Sequence, residues 1–255
     1  MVMLPDLPLG KWRPTRDTLR EVCLILSTLQ RAYLPAHPRQ WQYGLEVNLR
    51  GLSTQEFMFK GQPLRATLDL VRHKVRLAGE KWSLRENPPA LIAENIQEWL
   101  AGQGEKVALD LPEFVAGTVE YDQSQADSYA GALWWFDEQF RSVKEGLKQG
   151  ITQPILLYPH HFDLSLVWFP WDDERQIGLG WSTGDEHVKE AYLYLTAYPE
   201  PTGFTKLGLT KNAYWQKAGF SGAVLPYKNL HLSSDPAGLF KEFAAIMLQA
   251  KNLFG

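Results

Sequence analysis

The sequence predicts an α+β fold of antiparallel sheet meanders packed against helices, and three observations predict it. Several stretches alternate apolar and polar residues, the pattern of a strand with one wet face. Others repeat apolar residues at spacings of three and four, which is one face of a helix. The strand-like stretches follow one another across short turns instead of alternating with helices, so they pair antiparallel.

The 255 residues suit a single compact domain, 1–255. The order helix, meander, helix recurs in two lobes, 15–110 and 120–255, and suggests a pseudo-duplication. Residues 1–14, rich in Pro and Leu, read as an extended lead-in. Leu19, Val22, Leu26, Leu29 and Tyr33 place a helix over Thr15–Tyr33, ended by Pro35 and Pro38. Alternation predicts strands over 41–49, near 56–59 and over 64–70, with a turn near Arg72-His73 where the phase flips. Asn87 and Pro88 read as a cap and first turn, Gly102 as a stop, and Leu91, Ile92, Ile96, Trp99 and Leu100 as the buried stripe between them. A short strand is expected at 107–109. Asp122 caps a long helix that runs to Gly150. Further strands are expected at 155–158, 162–169, 177–181, 191–198 and 224–232, with a short helix over 211–217 and a terminal helix from Asp235-Pro236.

Composition excludes several classes of function. The net charge is −3, and Lys and Arg never cluster beyond pairs, so a nucleic-acid partner is not expected. There is neither an export signal nor an apolar run long enough for a membrane span, so a cytoplasmic protein without membrane attachment is expected. Cys23 is the single cysteine and falls on a helical apolar stripe, which predicts a buried, inert thiol. Ten Trp residues predict an aromatic core. No cofactor is expected, and the chain is expected to be a monomer or a homodimer.

Candidate functional residues concentrate between 157 and 204. If Phe162, Leu164, Leu166 and Trp168 face the core, His161, Asp163 and Ser165 face the other way. Tyr192, Tyr194, Thr196 and Tyr198 line one side of a neighbouring strand, so an open sheet surface carrying His, Asp, Ser and phenols is expected to hold a small polar or aromatic ligand. A hydrolytic triad is excluded, because residues two apart on a strand are separated by roughly 6.6 Å and residues four apart by roughly 13 Å. His161 and Asp163 can still converge on one atom. Two alternatives therefore stand beside ligand binding: a metal-dependent hydrolase in which His187 or Asp185 joins His161 and Asp163, and a non-enzymatic protein that dimerises through exposed aromatics. Ser182-Thr183-Gly184-Asp185 reads as a turn in which Asp185 binds backbone N–H groups. Glu200, fixed between Pro199 and Pro201, is a further binding candidate.

Blocks of the chain resemble a bacterial domain-of-unknown-function family, number five-nine-nine-six. They are Arg50-Gly51-Leu52-Ser53-Thr54, Tyr121-Asp122 at the start of a long aromatic helix, Phe162-Asp163-Leu164, and Tyr198-Pro199-Glu200-Pro201. A related bacterial group is similar over Tyr158–Leu164, Ser182–Asp185 and Ala191–Tyr194. The resemblance implies common descent along the chain and carries no activity. Many members have a His in the early strand and a His-Glu pair before the Gly-rich turn. Here those places read as Gln or Tyr and as part of Arg175–Gly178, so no mechanism needing those histidines is implied.

Overall fold

The computed structural model describes residues 4–111, 114 and 121–254. Helix α1 (Leu9–Arg31) starts six residues before the expected Thr15, and it tolerates Pro14 inside it. Trp12, Leu19, Val22, Leu26 and Leu29 are fully buried along it, and Cys23 with them, where burial pushes its thiol well above the ordinary range. In place of one strand over 41–49 there is a 3-10 turn (Trp41–Tyr43) followed by β1 (Leu45–Asn48). The local reason is Gln40, whose φ of 57° lies in the left-handed region and coils the chain before it can extend.

Strands β2 (Gly51–Ser53), β3 (Phe57–Phe59), β4 (Gln62–Leu64), β5 (Ala66–Asp69) and β6 (Lys74–Leu77) follow, with the turn at 72–73 where the phase flip predicted it. Gly51 is required by both conformation and space: its φ is 140°, and a Cβ there would lie 2.5 Å from the carbonyl oxygen of Leu68. Strand β7 (Glu80–Ser83) escaped prediction because both faces are polar or half-exposed. The cap of α2 (Pro89–Gly102) is Pro88, while the Asn87 side chain donates to Ser83 O at 2.8 Å. Pro89, Ile92, Ala93, Ile96 and Leu100 form its buried stripe, and Leu91 is exposed. The expected strand at 107–109 is absent. That segment is instead held by the Gln97 side chain, which donates to Val107 O at 2.8 Å and accepts from Leu109 N at 3.1 Å.

Asp122 caps α3 (Gln123–Gly146) as expected, its Oδ1 accepting from Ser124 N at 2.7 Å and Gln125 N at 3.3 Å. Beyond it come β8 (Ile151–Thr152), β9 (Leu156–Tyr158), β10 (Asp163–Phe169), β11 (Gln176–Ser182) and β12 (Tyr192–Tyr198), the last four at nearly their expected positions. The helix expected over 211–217 is corrected to a strand, β13 (Tyr214–Gln216). It is recruited by pairing with β14 (Gly222–Pro226), a partner that local propensity does not see. The strand expected to reach 232 ends at Pro226 and gives way to α4 (Tyr227–His231). Helices α5 (Pro236–Ala244), capped by Asp235, and α6 (Ile246–Lys251) close the chain.

Contacts divide the chain into an N-terminal unit, Gly10–Ala130 with Leu156–Phe162, and a C-terminal unit, Met1–Leu9 with Gly131–Ile155 and Asp163–Gly255. In the N-terminal unit the strands run in the antiparallel order β9-β1-β2-β5-β6-β7, with β3 and β4 as a separate hairpin. Its aromatic packing includes Trp12 stacked on Tyr129 at 5.5 Å, Tyr129 on Phe162 at 5.2 Å and Phe59 against Trp99 at 5.1 Å.

In the C-terminal unit the order is β13-β14-β12-β11-β10, with β8 also paired to β10. Leu164, Leu166 and Trp168 of β10, Ile177, Leu179 and Trp181 of β11, and Leu193 and Leu195 of β12 are all buried, and they share one side of the sheet. Phe136 of α3 stacks on Trp181 with ring centroids 4.5 Å apart, and Phe140 stacks on Phe240 of α5 at 5.8 Å. The lead-in segment is anchored here as well: Tyr227 OH donates to Pro5 O at 2.6 Å, and His231 Nδ1 lies 2.9 Å from Leu4 O. Trp181 is the centre of this packing, so Trp181→Ala is expected to cost about 3–5 kcal/mol of stability, read as a lower urea midpoint.

Candidate functional site

The side of the C-terminal sheet opposite that core is built by register. Asp163 stands across from Ser182 and Ser182 from Tyr192; in the next rung Ser165 faces Gly180 and Gly180 faces Tyr194; in the third Val167 faces Gly178 and Gly178 faces Thr196. Strand period two thus gathers Asp163, Ser165, Ser182, Tyr192, Tyr194 and Thr196 on one surface. The two glycines leave the middle strand without side chains there. A Cβ on Gly180 would lie 2.0 Å from Cζ of Tyr194, so the phenol ring lies directly over this glycine.

Lying there, Tyr194 reaches across β11 to β10. Its hydroxyl donates to Asp163 Oδ2, and Ser165 hydrogen-bonds the same hydroxyl. Asp163 is only 7% exposed. Burial, and then the neighbouring Asp163 charge, push the Tyr194 phenol well above its ordinary range. A parallel arrangement sits one rung away, where Tyr192 donates to Asp185 Oδ2 at 2.5 Å and also bonds Ser182. Burial alone would raise the Asp185 carboxyl, but the Tyr192 hydroxyl and the N–H groups of Val188 and His187 outweigh it and hold it below its usual value. Each phenol is therefore bound by one carboxylate and one serine. Both phenols stay protonated at neutral pH, and Phe220 stacks on Tyr192 at 6.2 Å.

Of the residues expected to form the site, the structure brings together Asp163, Ser165, Tyr192, Tyr194 and Asp185. His161 is a correction. It lies exposed in the turn Pro159–Phe162, outside the strand, because Phe162 takes a φ of 51° and breaks the alternation that would have aligned it with Asp163. Glu200, the further candidate, is not part of this face. It is exposed beyond the opposite end of β12, where it accepts from Ser221 Oγ. The His187 ring lies against Gly219, and its Nε2 is 3.4 Å from Glu186. Among the described residues no three His, Cys, Asp or Glu side chains come together in a way that could hold a metal ion.

Two features had no sequence signal. A pocket of about 390 Å³ is lined by Asp6, Glu190, Tyr227, Lys228 and His231, among others. In the N-terminal unit the His73 side chain, although it lies in a turn, is only 11% exposed and bridges Tyr121 OH, 2.8 Å from Nδ1, and Asp127 Oδ1, 3.5 Å from Nε2.

A fold of antiparallel sheets and helices, with a carboxylate–phenol face on one sheet, defines an α+β protein. The chain belongs to a family of unknown function (DUF5996), which it matches over residues 4–176 and 171–252. No curated protein and no solved structure matches it significantly. Among the described residues no helix is long and apolar enough to cross a membrane.

Two measurements check these geometries. Tyr194→Phe removes the donor to a buried carboxylate and is expected to destabilise the protein by about 1–3 kcal/mol in chemical denaturation. Burial holds the His73 imidazole below its ordinary value, against the pull of Asp127 and with help from Arg85. Because the folded state disfavours the protonated ring, its contribution to stability is present above about pH 6.5 and is lost as pH falls through the lowered folded value. His73→Gln should therefore show a shallower fall in Tm than wild type between about pH 7 and pH 5.

Proposed function

We propose that the protein binds a small polar or aromatic molecule on the face carrying Asp163, Ser165, Tyr192 and Tyr194. The observation that supports this reading is the Asp163–Tyr194 pair, laid across Gly180. A buried carboxylate on a strand has a large desolvation cost, and apolar residues of similar size would fill the same position without it. Such groups are retained where they recognise something, which makes the pair a site candidate on physical grounds. The face is less open than the sequence suggests, since Asp163, Ser165, Ser182 and Tyr192 are buried; its half-buried residues are Tyr194 beside Gly180 and Val167 and Thr196 beside Gly178, and access is through them. A guest there meets phenol and phenyl faces on one side and the hydroxyls of Thr196 and Tyr194 on the other. The carboxylates stand behind the phenols and fix their orientation. This arrangement favours ligands with a flat apolar body and a hydrogen-bonding edge.

A thermal-shift screen of the full chain against a library of polar and aromatic metabolites tests the reading, followed by titration of each hit into Asp163→Asn and Tyr194→Phe. Hits should lose roughly tenfold or more in affinity in both variants. A library without hits, or hits bound equally well by both variants, would overturn the proposal.

A further inference from the structure

A second cluster lies wholly in the N-terminal unit, on residues that the sheet face does not use. Arg20 and Arg31 stand three helical turns apart on α1 and so return to nearly the same side of the helix. Ser27 lies on that side too, and its Oγ donates to Tyr43 O at 2.8 Å, fixing the 3-10 turn against α1. Arg20 grips the carbonyl oxygen of His160, 140 residues away, through Nη2 at 2.9 Å and Nε at 3.3 Å, which holds the Pro159–Phe162 turn against the same helix. The ring of His160 then lies 6.2 Å from that of Tyr43, and the guanidinium carbon of Arg31 lies 4.7 Å from the Tyr43 centroid.

The charges in this cluster are alike. Farther up α1, Asp17 pairs with Arg16 at 2.7 Å and lies 3.8 Å from Arg13. Among the described residues neither Arg20 nor Arg31 has such a carboxylate. The Arg31 guanidinium makes one hydrogen bond, from Nη2 to Thr28 Oγ1 at 3.0 Å, and its buried Nε makes none. The titratable and charged groups facing His160 are Arg20 and Arg31 from the helix and His161 from its own turn, with Tyr43 as the aromatic neighbour; burial first, and then Arg31, His161 and Arg20, hold its imidazole below its ordinary value. Like charges gathered without a counter-ion repel, and guanidinium groups match the geometry of tetrahedral and carboxylate oxyanions.

We infer that Arg31 and His160, both beside Tyr43, together with Arg20 on the His160 turn, form a binding site for a small oxyanion of the phosphate-ester or sulfate class. The two guanidinium groups supply fixed charge and directed N–H donors. The imidazole adds a third donor that becomes fully cationic when the anion arrives, since a neighbouring negative charge favours its protonated form. Tyr43 holds Arg31 and His160 in position without competing for the anion's charge.

Calorimetric titration of the full chain with sulfate tests the site, because sulfate keeps its charge across the pH range of the imidazole. Chloride at matched ionic strength is the control. Saturable binding to one site is expected, weaker by roughly tenfold in Arg31→Gln and in His160→Gln. Affinity should also be higher at about pH 5.5 than at about pH 7.5. Arg20 is left intact because it holds the turn. In wild-type protein the His160 ring resonance, followed by NMR, should titrate at a higher pH when sulfate is present, a readout that does not depend on any variant folding. Phenyl phosphate binding more tightly than sulfate would assign the site to an ester, and equal binding would assign it to the free anion. Sulfate acting no differently from chloride, or an unmoved His160 titration, would overturn the inference.

Discussion

The C-terminal sheet depends on one constraint, the period of two along β10, β11 and β12. The side that carries Leu164, Leu166, Trp168, Leu179 and Trp181 is closed by α3 and α5 through Phe136, Phe140 and Phe240. Every residue of the opposite phase must then share the other side, whatever its polarity. That is how Asp163 comes to be buried: its place follows from the packing of its neighbours, and its cost is offset by the phenol of Tyr194. Gly180 makes the offset possible. Any side chain at that position would occupy the space of the Tyr194 ring, and the hydroxyl would not span two strands.

The two units treat charge in opposite ways. In the C-terminal unit the buried carboxylate of Asp163 and the exposed one of Asp185 are each met by a phenol, and the phenols are held protonated. Around Tyr43 in the N-terminal unit, Arg20 and Arg31 face the His160 imidazole, and among the described residues neither guanidinium has a carboxylate partner. The first arrangement orients neutral hydrogen-bonding groups, whereas the second gathers positive charge. Belonging to a family of unknown function assigns neither of them a ligand, so the chemistry has to be argued from the side chains.

Local pattern revealed a large part of this. Asp122 as a cap, the α2 and α3 stripes, and strands β9 to β12 were legible because capping and periodicity are properties of neighbouring residues. The set Asp163, Ser165, Tyr192 and Tyr194 was legible for the same reason, since alternation alone assigns them to a face. What misled was backbone conformation that the side chains do not announce. Phe162 at a φ of 51° removes His161 from the strand, and Gln40 at 57° replaces the start of a strand with a 3-10 turn. Tyr214–Gln216 read as helical and became a strand because β14 offered it a ladder.

By itself the sequence determined the α+β class, most of the strand and helix positions, and the polarity of each face, because these follow from spacing and composition over a few residues. Tertiary structure alone decided that Tyr194 would bridge to Asp163 over Gly180, that His73 would sit between Tyr121 and Asp127, and that Arg20 would hold the turn of His160. Those pairings join residues far apart in the chain. Register and packing select them, and neither is encoded in any local window.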